Sequence, residues 1–180
     1  MNLNKYKVFD LFEREKKSLF FREIVKKSGV SVGGVQKVLS DSDFLFDKKV
    51  RGRNTYYSIK KGVLGELFVR LIESERAILF IRKNPFLKDF LEKISYEKIP
   101  CLIFGSYASF TNKRNSDLDL FVLGEKNLPE HLSPVELHIV RARKKDMKKF
   151  INEKLIKEIR KNHIFISGFD FFMEAFNEKN

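Results

Sequence analysis

Residues 101–123 read CLIFGSYASFTNKRNSDLDLFVL. Apolar runs open and close the segment. Between them lie a Gly-Ser pair, Gly105 and Ser106, and two aspartates one residue apart, Asp117 and Asp119. Asp119 sits between Leu118 and Leu120, with Phe121 and Val122 following. An unpaired carboxylate buried in such a run would cost several kcal/mol. Either the strand has a wet face or a cation sits on it. "CLIF" predicts a buried strand that ends at Gly105 and Ser106, and "YASF" opens a short helix. "SDLDLFVL" predicts a second strand, and "PVELHIV" (134–140) a third. Residues two apart in a strand point the same way. Asp117 and Asp119 therefore share one face, and Leu118 and Leu120 the other. Glu136 alternates with Val135 and Leu137 and can face the same side as the aspartates. His138 follows two residues later, but edge-strand histidines are common and it is not counted in the site.

Three carboxylates at the edge of a small sheet suit magnesium or manganese, hard ions that take oxygen ligands and keep waters and substrate phosphates. Two such ions can activate an attacking oxygen and steady a leaving pyrophosphate. The Gly-Ser turn fits the same chemistry. Gly105 lets backbone approach a phosphate closely, while the Ser106 hydroxyl and the amides of the following helix start can bind its oxygens. His131 and His163 are isolated, so a zinc site is not expected.

The flanks predict more regular structure. "NPFLKDFLEKISYEK" (84–98) places Phe86, Leu87, Phe90, Leu91 and Ile94 on one side of a helix that ends before Pro100. "KKDMKKFINEKLIKEIRKN" (144–162) has Met147, Phe150, Ile151, Leu155 and Ile159 at core spacing. Lys148 and Lys149 there either line a triphosphate path or belong to the helix's solvated face, the second reading being favoured. "HIFISGFDFFMEAF" (163–176) is an apolar run, a glycine and a final helix.

The whole chain has 180 residues, 43% of them hydrophobic, with 19 Phe and no Trp. A Phe-filled core follows. The single cysteine, Cys101, excludes an internal disulfide and reads as a buried small hydrophobe. Charges interrupt every apolar run of the N-terminus, so no signal peptide is expected, and no run of about 18 apolar residues predicts a membrane span. A cytoplasmic protein is the expectation. The net charge of +12 is unevenly spread: residues 1–62 hold 15 Lys/Arg against 7 Asp/Glu. An anionic partner for this half is the simplest implication.

Within it, "LNKYKVFDLFERE" has Tyr6, Phe9, Leu11 and Phe12 at loosely helical spacing. In "FFREIVKKSG", Phe20, Phe21, Ile24 and Val25 share a face and Gly29 is a C-cap. "VSVGGVQKVLSDS" starts at an N-cap, Ser31. Val32, Val35, Val38 and Leu39 make its core stripe, leaving Gly33, Gln36, Lys37 and Ser40 outward. "FLFDKKVRGRNTYYSIK" predicts a hairpin with Phe44, Phe46, Tyr57 and Ile59 as apolar positions and "RGRN" as its turn. "KKGVLGELFVRLIESERAILFIRKN" then repeats Leu64, Leu67, Phe68, Leu71 and Ile72 at helical spacing, with Ala77, Ile78, Phe80 and Ile81 beyond.

Two resemblances follow from these motifs. Three helices and a basic hairpin resemble the winged helix-turn-helix family. The resemblance implies DNA binding: a recognition helix offering Ser31, Gly33, Gln36 and Lys37 to the major groove, and a wing offering Lys48, Lys49, Arg51 and Arg53 to phosphates or the minor groove. Gly33 and Gly34 stand where many members carry base-reading side chains. Gly105-Ser106 followed by Asp117-Leu118-Asp119 resembles the minimal nucleotidyltransferases of the DNA polymerase beta-like superfamily. That resemblance implies metal ligands and catalytic roles at Asp117, Asp119 and Glu136, phosphate binding at Gly105 and Ser106, and a nucleoside triphosphate such as ATP as substrate. Ala108 stands where the family has a small residue. Ser109 and Phe110 replace its common Arg-Gly, and Phe110 is expected to narrow the nucleotide entrance.

The expected architecture is therefore α+β. A winged helix-turn-helix spans residues 1–62, a connecting helix 63–84, and a small mixed-sheet α/β nucleotidyltransferase domain 85–180. The connecting helix is also a candidate homodimer contact. The acceptor stays open between a small molecule, an RNA end and a protein side chain, the last as in toxin-antitoxin pairs. The alternative is a transcription regulator whose second domain is inactive and senses nucleotide or metal.

Overall fold

The structure, a computed structural model, describes residues 1–143, 146 and 154–177. Met147, Lys148, Lys149, Phe150 and Ile151, expected in a helix, lie outside the described residues. The chain divides into two compact units, Met1–Glu75 and Arg76–Asn180. No helix among the described residues is long and apolar enough to cross a membrane.

The first unit runs α1 (Leu3–Glu15), β1 (Leu19–Phe20), α2 (Phe21–Ser28), α3 (Val32–Asp41), β2 (Phe46–Arg51) and β3 (Asn54–Ile59), followed by the start of α4 (Val63–Lys83). Local chemistry sets these limits. Asn2 accepts from the Lys5 amide at 2.8 Å and caps α1. Gly29 ends α2 in the left-handed region, φ 64°, and Ser31 starts α3 by accepting from the Gly34 amide at 3.2 Å. The strands form an antiparallel sheet in the order β1-β3-β2. Phe9, Phe12, Ile24, Val35, Leu39, Phe46, Phe68 and Ile72 are among the residues of its core.

Periodicity overreached at several positions. Val32 is exposed, because it follows the cap directly and the core stripe of α3 begins at Val35. Phe44 is exposed within a 3₁₀ turn, Asp43–Leu45, which turns Leu45 inward instead. On α4, Phe68 and Ile72 take the buried face and leave Leu64, Leu67 and Leu71 exposed, and farther along Phe80 is buried while Ile78 is exposed. Phe86 is also exposed, since a 3₁₀ turn over Pro85–Leu87 rotates it away from buried Leu87.

The second unit is a four-stranded mixed sheet in the order β6-β5-β4-β7. Its strands are β4 (Cys101–Ile103), β5 (Leu118–Leu123), β6 (Leu137–Ala142) and β7 (Ile164–Ser167). β5 pairs antiparallel with β4 and parallel with β6, and β4 pairs antiparallel with β7. Besides the end of α4, its helices among the described residues are α5 (Lys88–Tyr96), α6 (Gly105–Ala108), α7 (Lys154–Lys161) and α8 (Phe169–Asn177). Period-two alternation sorts the sheet into two faces. Cys101, Ile103, Leu118, Leu120 and Val122 pack with Phe90, Leu91 and Ile94 of α5 and Tyr107 and Ala108 of α6. Leu102, Phe104, Phe121 and Leu123 pack with Ile156 and Ile159 of α7 and Phe172 of α8. Burial pushes the Cys101 thiol up to about 12, in keeping with its reading as a core residue. His163 is buried, with Nδ1 2.8 Å from the Ile159 carbonyl oxygen and its ring edge-on to Phe165.

Candidate active site at the Gly-Ser turn

β4 ends at Ile103, Phe104 follows, and the chain turns sharply at Gly105 into the four-residue α6. The turn demands φ 69° at Gly105, a left-handed conformation that costs a side-chain-bearing residue roughly 1–2 kcal/mol. A second constraint acts at the same residue. A β-carbon built on Gly105 would land on Oδ2 of Asp119 and lie 2.9 Å from its Cγ. The glycine therefore leaves the space that the Asp119 carboxylate fills. The Phe104 amide donates to the Asp119 carbonyl at 3.0 Å, which ties the two backbones together beside that contact.

The loop after α6 folds back on the turn. The Ser109 hydroxyl donates to the Gly105 and Ser106 carbonyls at 3.0 and 3.2 Å and lies 3.0 Å from the Thr111 hydroxyl. The Thr111 amide donates to the Ser106 carbonyl at 2.9 Å. Ser106 is half-buried, and the Ser106 and Tyr107 amides, in the first turn of α6, have no acceptor within the helix.

Phe110 does not narrow this turn. It adopts φ 57°, the conformation for which a glycine is best suited. Its ring packs on the Leu118 and Leu120 side of the sheet, 6.4 Å from the Phe80 ring, with Lys83 Nζ 4.4 Å from its centroid. Asp119 alternates with Leu118 and Leu120 and turns to the opposite face.

The parallel register decides which side chains meet Asp119. Leu118 pairs with Leu137 and Asp119 with His138. The Leu118 amide donates to the Glu136 carbonyl at 2.8 Å, so Asp117 and Glu136 stand just before their strands at matching positions. Both are exposed, whereas Asp119 is partly buried. His138 donates from Nδ1 to Oδ1 of Asp119 at 2.8 Å, and its ring lies 6.3 Å from that of Phe104. Among the described residues, no three His, Cys, Asp or Glu side chains lie close enough together to hold a metal ion. The donor set suits a hard cation, since all three expected ligands are carboxylates on neighbouring strand ends. Of the expected site, the structure brings Gly105 and Asp119 into contact and holds Asp117 and Glu136 at the same end of the sheet, just before β5 and β6. It adds His138, whose signal in the sequence was its even spacing from Glu136.

In the first unit, the basic residues singled out from the sequence are all exposed: Lys37 on α3, Lys48, Lys49 and Arg51 on β2, and Arg53 in the hairpin turn. Ser31, Gly33 and Gln36 are exposed on the first turns of α3. A groove between α3 and the hairpin is lined by Gln36, Ser40, Lys48 and Tyr57. Two of these basic residues are already engaged. Lys48 pairs with Asp43, and the hydrogen bond to that carboxylate raises its pKa. The Arg51 guanidinium lies 5.3 Å from the Tyr56 ring centroid.

A family model described as nucleotidyltransferase domain matches residues 85–174, half of the chain. No curated protein and no solved structure matches the chain. The matched segment opens ahead of α5 and closes in α8, and so takes in every strand of the sheet that carries Asp119. On that footing the chain belongs to the nucleotidyltransferase domain family.

Proposed function

We propose that the protein transfers a nucleoside monophosphate from a nucleoside triphosphate, ATP by preference, to an acceptor hydroxyl. The acceptor oxygen bonds to the α-phosphorus, the bond from that phosphorus to the bridging oxygen breaks, and pyrophosphate leaves with its electron pair. The observation that carries this reading is the contact of Gly105 with Asp119, which sets the Gly-Ser turn against a carboxylate on the next strand. Asp117 and Asp119 would hold magnesium or manganese, with Glu136 assisting removal of the acceptor proton. Held there, the ion would supply charge neutralisation of the triphosphate. Gly105 makes room at the turn for the Asp119 carboxylate, and Ser106 would present a hydroxyl and an amide to a phosphate oxygen.

The first unit serves this activity as a winged helix that binds DNA, through Gln36 and Lys37 on α3 and Lys49, Arg51 and Arg53 on the hairpin. Exposed Leu64, Leu67 and Leu71 follow a three-four spacing on α4, the self-complementary seam of a paired helix. A second copy of the chain is the proposed occupant of that seam. Replacing Leu67 with Lys should turn a dimer into a monomer by light scattering, and a monomeric wild type would remove the seam from the account.

One observation favours the rival reading, a regulator that senses nucleotide without transfer: the three carboxylates are not gathered among the described residues. Incubation with triphosphate labelled at the α-phosphorus, magnesium and cell lysate separates the two. Transfer predicts label on an acceptor, lost in the Asp117→Ala/Asp119→Ala double variant. Nucleotide binding without label transfer supports the sensor.

A further inference from the structure

Asp119 is held from two sides. Its Oδ2 fills the space left by the missing side chain of Gly105, and its Oδ1 accepts from Nδ1 of His138 at 2.8 Å. The second contact is a consequence of register, since His138 is the β6 residue paired with Asp119 across the parallel ladder. The His138 side chain is 60% exposed, against 23% for Asp119. Its packing therefore contributes little to the core, and its one side-chain hydrogen bond among the described residues goes to the carboxylate. An exposed side chain whose hydrogen bond goes to a partly buried carboxylate on the neighbouring strand is placed to orient that carboxylate.

We infer that His138 is a positioning residue, which fixes the Asp119 carboxylate in the orientation that receives a divalent ion. The inference rests on the proposed metal role of Asp119. It goes beyond that role by assigning an outer-shell partner that the metal-ligand motif does not contain. Ligating carboxylates are themselves hydrogen-bonded, and loss of such a partner typically weakens metal binding about 10–100-fold. The imidazole carries an Nδ1 proton both as the cation and in one neutral tautomer. The contact therefore needs no change of charge to work.

The test uses the full chain and manganese as the probe, with affinity read from the electron paramagnetic resonance signal of the free ion. Three variants are compared. His138→Asn keeps an amide N–H near the position of Nδ1. His138→Gln moves that donor outward to the position of the other ring nitrogen, and His138→Ala removes it. The expected result is near-native manganese affinity for His138→Asn, with His138→Ala and His138→Gln weaker by about tenfold or more. Equal affinity in all four proteins overturns the inference, as does loss in His138→Asn equal to that in His138→Ala. If the wild type itself takes up no manganese, the metal role of Asp119 fails first, a result distinct from either. The Asn and Gln variants differ only in where the amide sits, so their comparison holds even if the Ala variant folds poorly.

Discussion

Gly105 and Asp119 compete for one volume: the β-carbon that any other residue would bring to position 105 falls on the Asp119 carboxylate. The 13 residues between them in sequence (106–118) form the rest of α6, its return loop and the start of β5. Backbone conformation and side-chain space thus ask for glycine independently. Gly105→Ala should cost roughly 1–2 kcal/mol from the left-handed conformation alone, and more from the clash. In a double-mutant cycle by urea denaturation, adding Asp119→Ala should return the clash component and leave the backbone component. Strict additivity of the two substitutions would contradict the contact.

The basic hairpin predicts a salt-dependent interaction. If the first unit binds duplex DNA mainly through phosphates, affinity should fall steeply and log-linearly with salt. Arg51→Ala/Arg53→Ala should weaken binding to all sequences alike and flatten that slope. Lys48→Ala should do less, because Lys48 is already paired with Asp43. Fluorescence anisotropy over a salt series reads all three, and unchanged affinity in the double variant removes the hairpin from the interface.

Cys101 offers a check on the core of the second unit. Burial disfavours the thiolate and pushes its thiol up from 9.0 to about 12. The native protein should therefore resist a thiol-specific reagent at pH 8 and react once after denaturation. The raised value also sets a sign. The unfolded chain loses this proton first, so the contribution to stability is intact below pH 9 and declines as pH rises towards 12. Cys101→Ala should show a shallower loss over that window, and parallel curves would contradict the burial.

Much of this site is legible in residues 101–123, because strand alternation and a Gly-Ser turn are local properties. The alternation that sends Leu118 and Leu120 to one face and Asp119 to the other needs no tertiary information. The identity of the residue opposite Asp119 does. Period two allows both Glu136 and His138 onto the same side, and only the pairing of Leu118 with Leu137 places His138 beside the aspartate. Phe110 illustrates the same limit. Its sequence position is next to the turn, yet a left-handed backbone sends its ring to the far face of the sheet. On α4, Leu64, Leu67 and Leu71 share helical spacing with Phe68 and Ile72, and only packing tells which set is covered.

The central claim is that Asp119 belongs to a metal and triphosphate site, and ligand-induced stabilisation tests it most directly. A ligand that binds only the folded state adds about 2.7 kcal/mol at roughly 100 times its dissociation constant. For a chain of this size each kcal/mol raises the melting temperature by roughly 2–4 °C. Saturating magnesium with a non-hydrolysable ATP analogue should therefore raise the melting temperature of the wild type by several degrees. Asp119→Asn, nearly isosteric, should keep the fold and lose that shift. Identical shifts in the two proteins, or no shift in the wild type, would contradict the account.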